Sequence, residues 1–300
     1  MARDATFRSG FACLVGRPNA GKSTLTNALV GEKVAITSTR PQTTRRALRG
    51  IVNRPDGQLV LVDTPGLHRP RTLLGERLND LVADTLSEVD VIGFCLPADQ
   101  PIGPGDRFIA GQLASRRTPV VAIATKIDAV GPERVVHHLT QIGDLGDWAE
   151  IVPVSATRGT QVDLLAEILV RYLPTGPVLY PDGELSDEDP EVTIAELVRE
   201  AALEGVRDEL PHSLAVLVEE IVERPDRRDH LTDVRVNLYV ERPSQKAIII
   251  GTRGSRLRQV GTQARQGIQR LLGVPVYLDL HVKVAKDWQK DPKQLRRLGF

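Results

Sequence analysis

Eight consecutive residues near the start of the chain have the types that bind a phosphate group: Gly16-Arg17-Pro18-Asn19-Ala20-Gly21-Lys22-Ser23. Glycines at both ends permit backbone conformations in which consecutive N–H groups turn toward phosphate oxygens. Lys22 adds a positive charge for the β- and γ-phosphates, and the Ser23 hydroxyl is suited to Mg²⁺. The segment follows an apolar run and precedes a helix-like one, which is the context this pattern needs. It predicts a phosphate-binding loop, with Thr24 also near the ligand.

A second candidate segment is Asp63-Thr64-Pro65-Gly66, followed by Leu67, at the end of another apolar run. Asp63 places a carboxylate where Mg²⁺ would need a partner, and Gly66 can offer its N–H to a γ-phosphate without steric cost. The same four residues also suit a plain β-turn. By itself this segment leaves both interpretations open.

Two further segments indicate which base is bound. Thr125-Lys126-Ile127-Asp128 closes an apolar run, and Ser155-Ala156 follows another. Guanine presents a ring N–H and an amine side by side, and one carboxylate can accept both, whereas adenine has no such pair of donors. We therefore expect Asp128 to select guanine, Lys126 to cover the base with its alkyl stem, and Ser155-Ala156 to complete the pocket.

The elements that must position these segments alternate along residues 1–175. Short apolar runs read as strands buried on both faces: Phe11–Val15, Leu59–Val62, Val91–Leu96 and Val120–Ala124. Helix-like stretches lie between and after them: Lys22–Val30, Leu73–Val89, Arg107–Arg116, Arg134–Gln141 and Gln161–Tyr172. The alternation predicts a doubly wound α/β domain with a mostly parallel sheet. Residues 176–190 are rich in proline and acidic residues and are expected to be a linker.

Residues 191–300 read as a smaller α+β domain. A helix is expected over Val192–Glu209 and another over Ser255–Leu272, with strands at Leu214–Val222, Val234–Val240 and Val276–Val284. Gly251-Thr252-Arg253-Gly254 resembles the G-x-x-G loop of a KH domain, in which two glycines let the backbone approach a nucleic acid. The candidate RNA-binding residues are Lys246, Gly251, Thr252, Arg253, Gly254, Arg256 and Arg258.

Charge supports this division. The chain totals 39 Lys+Arg and 39 Asp+Glu, but residues 235–300 hold 14 basic and 4 acidic side chains, a net +10, so the rest carries −10. A basic segment beside an acidic remainder indicates a polyanionic partner for one part only. No apolar run reaches the roughly 20 residues that cross a bilayer. The 2 cysteines, Cys13 and Cys95, each sit in an apolar run and are expected to be buried thiols in a reducing, cytoplasmic protein.

In order and spacing, residues 16–23, 63–66, 125–128 and 155–156 resemble the motifs of translation-factor-like GTPases. The resemblance implies GTP and Mg²⁺ as ligands and a first switch at 38–46, where Thr44, less favourably Thr43, reaches the Mg²⁺. Lys22, Asn19, Thr44 and Gly66 are the implied catalytic set. Thr125 replaces the commoner Asn, and Leu67 replaces a glutamine that orients water, so slow turnover is expected. The resemblance offers K⁺ at Asn19 as the aid to hydrolysis; Arg40, Arg45 or Arg46 is the alternative.

The two parts together resemble the Era family of bacterial ribosome-assembly GTPases, on the segments Val62–Arg71, Pro211–Arg224 and Val282–Phe300. The resemblance implies a monomer that binds 16S rRNA near its 3′ end during assembly of the small (30S) subunit. Two alternatives stay open. The first is an RNA-binding module that senses GTP without hydrolysing it. In the second, the basic surface binds anionic lipid, so that a fraction of the protein is bound peripherally to membranes.

Overall fold

The computed structural model describes residues 6–37, 44–45, 48–67, 72–204, 206, 210–224 and 231–300. The chain divides into two compact units, whose largest parts are Glu76–Asp187 in the first and Glu188–Phe300 in the second. Within the described ranges, no helix combines the length and the apolar character that a membrane span requires.

The first unit is built on a six-stranded sheet in the order β2-β3-β1-β4-β5-β6. Its strands are β1 (Arg8–Val15), β2 (Leu48–Asn53), β3 (Gly57–Asp63), β4 (Val91–Pro97), β5 (Val120–Thr125) and β6 (Glu150–Pro153). Strand β2 runs antiparallel to β3, and the other neighbouring pairs are parallel. The expected mostly parallel sheet is confirmed.

Except between β2 and β3, a helix lies between successive strands along the chain. The helices are α1 (Lys22–Val30), α2 (Leu73–Glu88), α3 (Pro104–Leu113), α4 (Pro132–Leu145) and α5 (Val162–Arg171). Along β1, Ala12 and Leu14 belong to one core cluster, whereas Cys13 and Val15 belong to another. Successive side chains of a strand point to opposite faces, so both faces of this sheet are buried.

Both cysteine side chains are free thiols inside this core. Burial raises the pKa of Cys13 to about 12 and does the same for Cys95. A thiol with so high a pKa has almost no reactive thiolate at neutral pH, so both act as small apolar side chains, as expected.

Residues 176–187, which belong to the segment predicted to be a linker, pack along the β2 edge of the sheet. The Gln58 side chain is fully buried, and its Oε1 accepts the N–H groups of Leu179 and Tyr180 at 2.8 and 2.9 Å. The N–H of Ile51 donates to the carbonyl of Leu185 at 2.9 Å. Partners from the sheet thus satisfy backbone groups that a free linker would leave to water.

The second unit holds a three-stranded sheet, β7-β8-β9, and helices that pack against it. Its elements are α6 (Pro190–Leu203), α7 (Leu210–Ser213), β7 (Ala215–Glu223), β8 (Thr232–Val240), α8 (Pro243–Ile250), α9 (Ser255–Leu272), β9 (Val276–Val284) and α10 (Pro292–Arg297). Strands β7 and β8 are antiparallel, whereas β8 and β9 are parallel. Parallel neighbours need a crossover, and α8 with α9 supplies it. The predicted smaller α+β domain is confirmed.

Helix α6 begins and ends earlier than the expected Val192–Glu209. It begins at Pro190 because the carboxylate of Asp189 accepts the N–H of Glu191 at 2.9 Å, and proline is well tolerated at the first helical position. It ends at Leu203, where Glu204 takes an extended backbone conformation. The apolar run 247–250 proves to be the last turn of α8, whose start at Pro243 follows the same rule for proline.

Candidate nucleotide site and candidate RNA-binding surface

The loop between β1 and α1 has the backbone conformation that its glycines predict. Gly21 has φ +90°, and Asn19 also has a positive φ of +62°. A Cβ on Gly16 would lie 2.7 Å from the carbonyl oxygen of Cys95, closer than packing allows. The loop therefore needs glycine at both ends, and asparagine is among the few other residues that accept a left-handed conformation.

Lys22 lies under this loop with its side chain buried. Its Nζ donates to the carbonyl oxygens of Gly16 at 3.3 Å and Arg17 at 3.2 Å. Burial lowers the pKa of Lys22, while the nearby Asp63 carboxylate acts in the opposite direction. A cation held beneath converging N–H groups is suited to receive the negative charge of a polyphosphate.

Three oxygen-bearing side chains meet beside Lys22, and they are the three predicted for Mg²⁺. The Ser23 hydroxyl donates to Asp63 Oδ2 at 2.8 Å, and the Thr44 hydroxyl donates to the same oxygen at 3.1 Å. The hydroxyls of Ser23 and Thr44 lie 3.0 Å apart. Two hydroxyls and one buried carboxylate form an all-oxygen set, which is the donor chemistry that Mg²⁺ prefers.

The segment after β3 lies against the phosphate-binding loop rather than forming an isolated turn. The Thr64 hydroxyl donates to the carbonyl of Leu14 at 2.7 Å. A Cβ on Gly66 would lie 2.8 Å from the backbone nitrogen of Pro18, so the two segments touch through their backbones. Leu67 is buried in the apolar core and offers no group that could hold a water molecule.

The segment 125–128, which is predicted to select the base, is joined to the phosphate-binding loop by a hydrogen bond. The Thr125 hydroxyl donates to the carbonyl of Ala20 at 2.6 Å. Although threonine is shorter than the more common asparagine, it still bridges the two segments. The ammonium of Lys126 lies 3.2 Å from the Asp99 carboxylate, which fixes the end of its side chain.

Hydroxyl donors hold the predicted base-selecting carboxylate. The Ser155 hydroxyl donates to Asp128 Oδ1 at 2.6 Å, and the Thr157 hydroxyl donates to Oδ2 at 3.1 Å. The hydrogen bond from Ser155 is the main reason why the pKa of Asp128 is lowered, so the carboxylate is ionised at neutral pH. Ile127 and Ala156 are half-buried beside these groups.

Sequence reasoning missed Thr157 and Asp99. Thr157 follows Ser155-Ala156 directly, and its hydroxyl was a readable signal. Asp99 carried no comparable signal, because its contact with Lys126 spans 27 positions of the chain. Of the predicted first switch, Thr44 and Arg45 are buried. Arg40, Thr43 and Arg46 lie outside the described residues.

The G-x-x-G loop of the second unit connects α8 to α9. Gly251, Arg253 and Gly254 have φ values of +71°, +50° and +77°. A Cβ on Gly251 would lie 2.7 Å from the Cβ of Arg256, so the first glycine is needed for close packing. The side chains of Thr252 and Arg253 are exposed at the tip of the loop.

The predicted RNA-binding cations divide into two kinds. Arg253 and Arg258 are exposed, and Lys246 is half-buried. Arg256 differs, because its guanidinium donates to the carbonyls of Ala202 at 3.2 Å and Glu204 at 2.5 Å, at the end of α6. Arg256 thus also joins the start of α9 to the end of α6 within the second unit, and its predicted RNA contact stays a prediction.

Comparison with known proteins identifies both units. Residues 11–126 match a family model described as a 50S ribosome-binding GTPase, and residues 209–289 match a KH domain. GTPase Era of Streptomyces coelicolor is 66% identical over 305 residues, covering 99% of this chain and 96% of its own length. GTPase Era of Mycobacterium avium is 67% identical over 297 residues, covering 98% of this chain and 99% of its own.

Two solved structures resemble the whole chain. Era in complex with MgGDPNP and nucleotides 1506–1542 of 16S ribosomal RNA gives a TM-score of 0.94 at 36% identity, covering 98% of this chain and 99% of its own. A single-residue variant of Aquifex aeolicus Era bound to GDP·AlF4⁻ gives a TM-score of 0.93 at 36% identity, covering 97% of this chain and 99% of its own.

Replacing Lys22 should separate nucleotide binding from stability. Because burial lowers the pKa of Lys22, its charged form costs stability in the nucleotide-free fold at neutral pH, and the cost fades as pH rises toward the ordinary pKa of lysine. We expect Lys22→Met not to lower the free energy of unfolding without nucleotide. At about a hundredfold excess over its dissociation constant, Mg·GDP should stabilise the unchanged protein by about 2.7 kcal/mol and the variant not at all.

Urea unfolding with and without Mg·GDP measures both effects. Lys33→Met, at an exposed lysine of the same unit, is the control and should keep the full stabilisation by nucleotide. A Lys22→Met protein that Mg·GDP stabilises as much as the unchanged chain would contradict the role of this cation.

Proposed function

Since the chain belongs to the Era family of GTPases, we propose that it binds 16S rRNA near the 3′ end through its KH domain and uses GTP with Mg²⁺ to time this binding during assembly of the 30S subunit. The meeting of Ser23, Thr44 and Asp63 within 3.1 Å carries the proposal. Thr44 follows the segment 38–43 of the predicted first switch. A Mg²⁺ ion bound by the oxygens of all three side chains would therefore link the phosphates to that switch.

Each part of GTP is assigned to groups of this chain. The N–H groups of 16–23 and the ammonium of Lys22 bind the phosphates, with Thr24 at the start of α1. We assign the Gly66 N–H to the terminal phosphate, because Gly66 lies against Pro18 of the loop. Asp128 accepts the two donors of guanine, and Lys126 covers the ring. Ser23, Thr44 and Asp63 would hold Mg²⁺, which offsets charge on the β- and γ-phosphates when bound.

Hydrolysis is slow in the isolated chain, because the position that orients water in related enzymes is occupied by a leucine. The Leu67 side chain is buried and has no polar atom to hold the attacking water. Lys22 and the Gly66 N–H still stabilise the charge that develops on the phosphates. A further positive charge is needed, and we assign it to K⁺ held beside Asn19, which is an exposed residue of the loop.

GTP hydrolysis should therefore depend on the monovalent cation. We expect at least about tenfold faster single-turnover hydrolysis in KCl than in NaCl, because a cation at the transferred phosphate replaces an arginine finger. Asn19→Ala should remove the difference, and Asn79→Ala in α2 should retain it. Equal rates in the two salts would contradict the assignment and direct attention to Arg45, which Arg45→Ala would then test.

Changing Asp128 should change the base that is bound. Asp128→Asn removes an acceptor for the guanine amine, and the loss of charged hydrogen bonds should raise the GDP dissociation constant about a thousandfold. The asparagine amide can instead donate to the carbonyl that xanthine carries in place of that amine, so binding of xanthosine diphosphate should improve. Fluorescence titrations with both nucleotides and ADP measure this, with Asp144→Asn as an exposed control. Equal affinity of the unchanged protein for ADP and GDP would contradict a guanine site.

The RNA is gripped by the loop between α8 and α9. Two positive-φ glycines bring the backbone of 251–254 to the surface, and the N-terminus of α9 follows directly. Lys246, Arg253 and Arg258 supply charge, while Arg256 holds this loop to the end of α6. We assign the protein to the cytoplasm as a monomer. Its contact with membranes is weak, because α9 has no aromatic side chain to anchor in lipid.

Removing each of these charges should change the salt dependence of RNA binding. Arg253→Gln and Arg258→Gln should each reduce the salt dependence of binding by about one unit of slope, since each removes one phosphate contact. The probe is a short RNA from the 3′ end of 16S rRNA, and Arg171→Gln on the first unit is the control. Binding to anionic vesicles is measured in a second experiment. Analytical sedimentation gives the molecular mass in solution and so tests whether the protein is a monomer. Unchanged slopes, or binding to vesicles that exceeds binding to RNA, would contradict the assignment.

A further inference from the structure

Arg17 lies in the phosphate-binding loop, and its side chain reaches the start of α3. Its Nε donates to Asp106 Oδ1 at 2.7 Å, and the Asp106 side chain is fully buried. Arg17 is itself only partly exposed. An ion pair that is partly shielded from solvent is less screened than one on the open surface and constrains both partners.

Asp106 is fixed independently of Arg17. It lies in the first turn of α3, where its Oδ2 accepts the N–H of Gly103 at 2.8 Å. The alkyl stem of Arg17 rests on the backbone of the same turn, since a Cβ on Gly105 would lie 2.9 Å from Arg17 Cδ. The start of α3 thus holds the Arg17 side chain through an ion pair and a packing contact.

The backbone of Arg17 faces the inside of the loop. Its carbonyl oxygen accepts from Lys22 Nζ at 3.2 Å and from the N–H of Ala20 at 3.2 Å. Arg17 therefore joins the inner hydrogen bonds of the loop to a fixed point outside it. The loop also contains a positive φ at Asn19, a conformation that a non-glycine residue keeps only when its surroundings hold it.

We propose that Asp106 is a positioning residue for nucleotide binding, which acts by holding Arg17 and hence the phosphate-binding loop in its binding conformation when no nucleotide is present. The inference rests on the nucleotide-binding role of residues 16–23. Without the ion pair, the loop samples other conformations, and the apparent dissociation constant rises by the inverse of the fraction that stays competent. If that fraction falls to about one tenth, affinity falls about tenfold.

The main test is a double-mutant cycle on Mg·GDP affinity. Asp106→Asn keeps an oxygen for the Gly103 N–H but loses the charge that holds Arg17, and Arg17→Gln removes the other partner. Each should raise the dissociation constant about tenfold, and the double variant should lose no more than either single one. Arg17→Lys, which keeps a charge in reach of Asp106, should recover part of the loss relative to Arg17→Gln.

A second pair of variants separates positioning from stability. Gly105→Ala places a methyl group where the Arg17 stem rests, yet alanine favours helix more than glycine does. It should weaken Mg·GDP binding without lowering the unfolding temperature of the nucleotide-free protein. Gly111→Ala in the same helix, where a Cβ would meet no atom within 4 Å, is the control and should leave binding unchanged.

The outcomes distinguish the possibilities. Unchanged affinity in Asp106→Asn, or additive losses in the double variant, would overturn the positioning role. A lower unfolding temperature with unchanged affinity would also overturn it, because the pair would then serve stability alone. Failure of the unchanged protein to bind Mg·GDP would instead contradict the nucleotide site itself.

Discussion

The nucleotide site depends on a lysine ammonium buried within the fold. Lys22 can be accommodated there because two backbone carbonyls accept hydrogen bonds from its ammonium and the Asp63 carboxylate lies close by. Those carbonyls belong to a loop whose first glycine, Gly16, allows close packing against β4. A buried charge with incomplete compensation binds an incoming anion strongly, because the anion supplies what the fold does not. The surrounding loop conformations serve to maintain this arrangement.

The sheet determines where the other groups meet the cation. Strands β1, β3 and β5 are parallel to one another across the sheet, so their carboxyl ends lie at one edge. Asp63 ends β3 and Thr125 ends β5, while the phosphate-binding loop follows β1. Residues that are distant in the chain therefore meet within hydrogen-bond distance. In other open α/β sheets, ligands bind at this same carboxyl edge.

Local patterns were predictable from the sequence, and contacts between distant segments were not. Helix α9 and strand β9 have the predicted bounds, since each is marked by a glycine and by regular spacing of apolar residues. The meeting of Ser23 with Asp63 could be expected from the motifs. The carboxylates that pair with Lys126 and Arg17 could not be predicted. A single ion pair between distant segments produces no recurrent spacing of residues in the sequence. Arg256 shows the same limit, since net charge does not reveal which cations the fold uses internally.

The packing of residues 176–187 on β2 protects the sheet from self-association. Strand β2 ends the sheet, and an unpaired outer strand readily adds a strand from another molecule. The bond from Ile51 to Leu185, together with the buried amide of Gln58, covers this edge from within the chain. A first unit cut after residue 175 would expose the edge and tend to aggregate, whereas one that continues to Asp187 would keep its own cover.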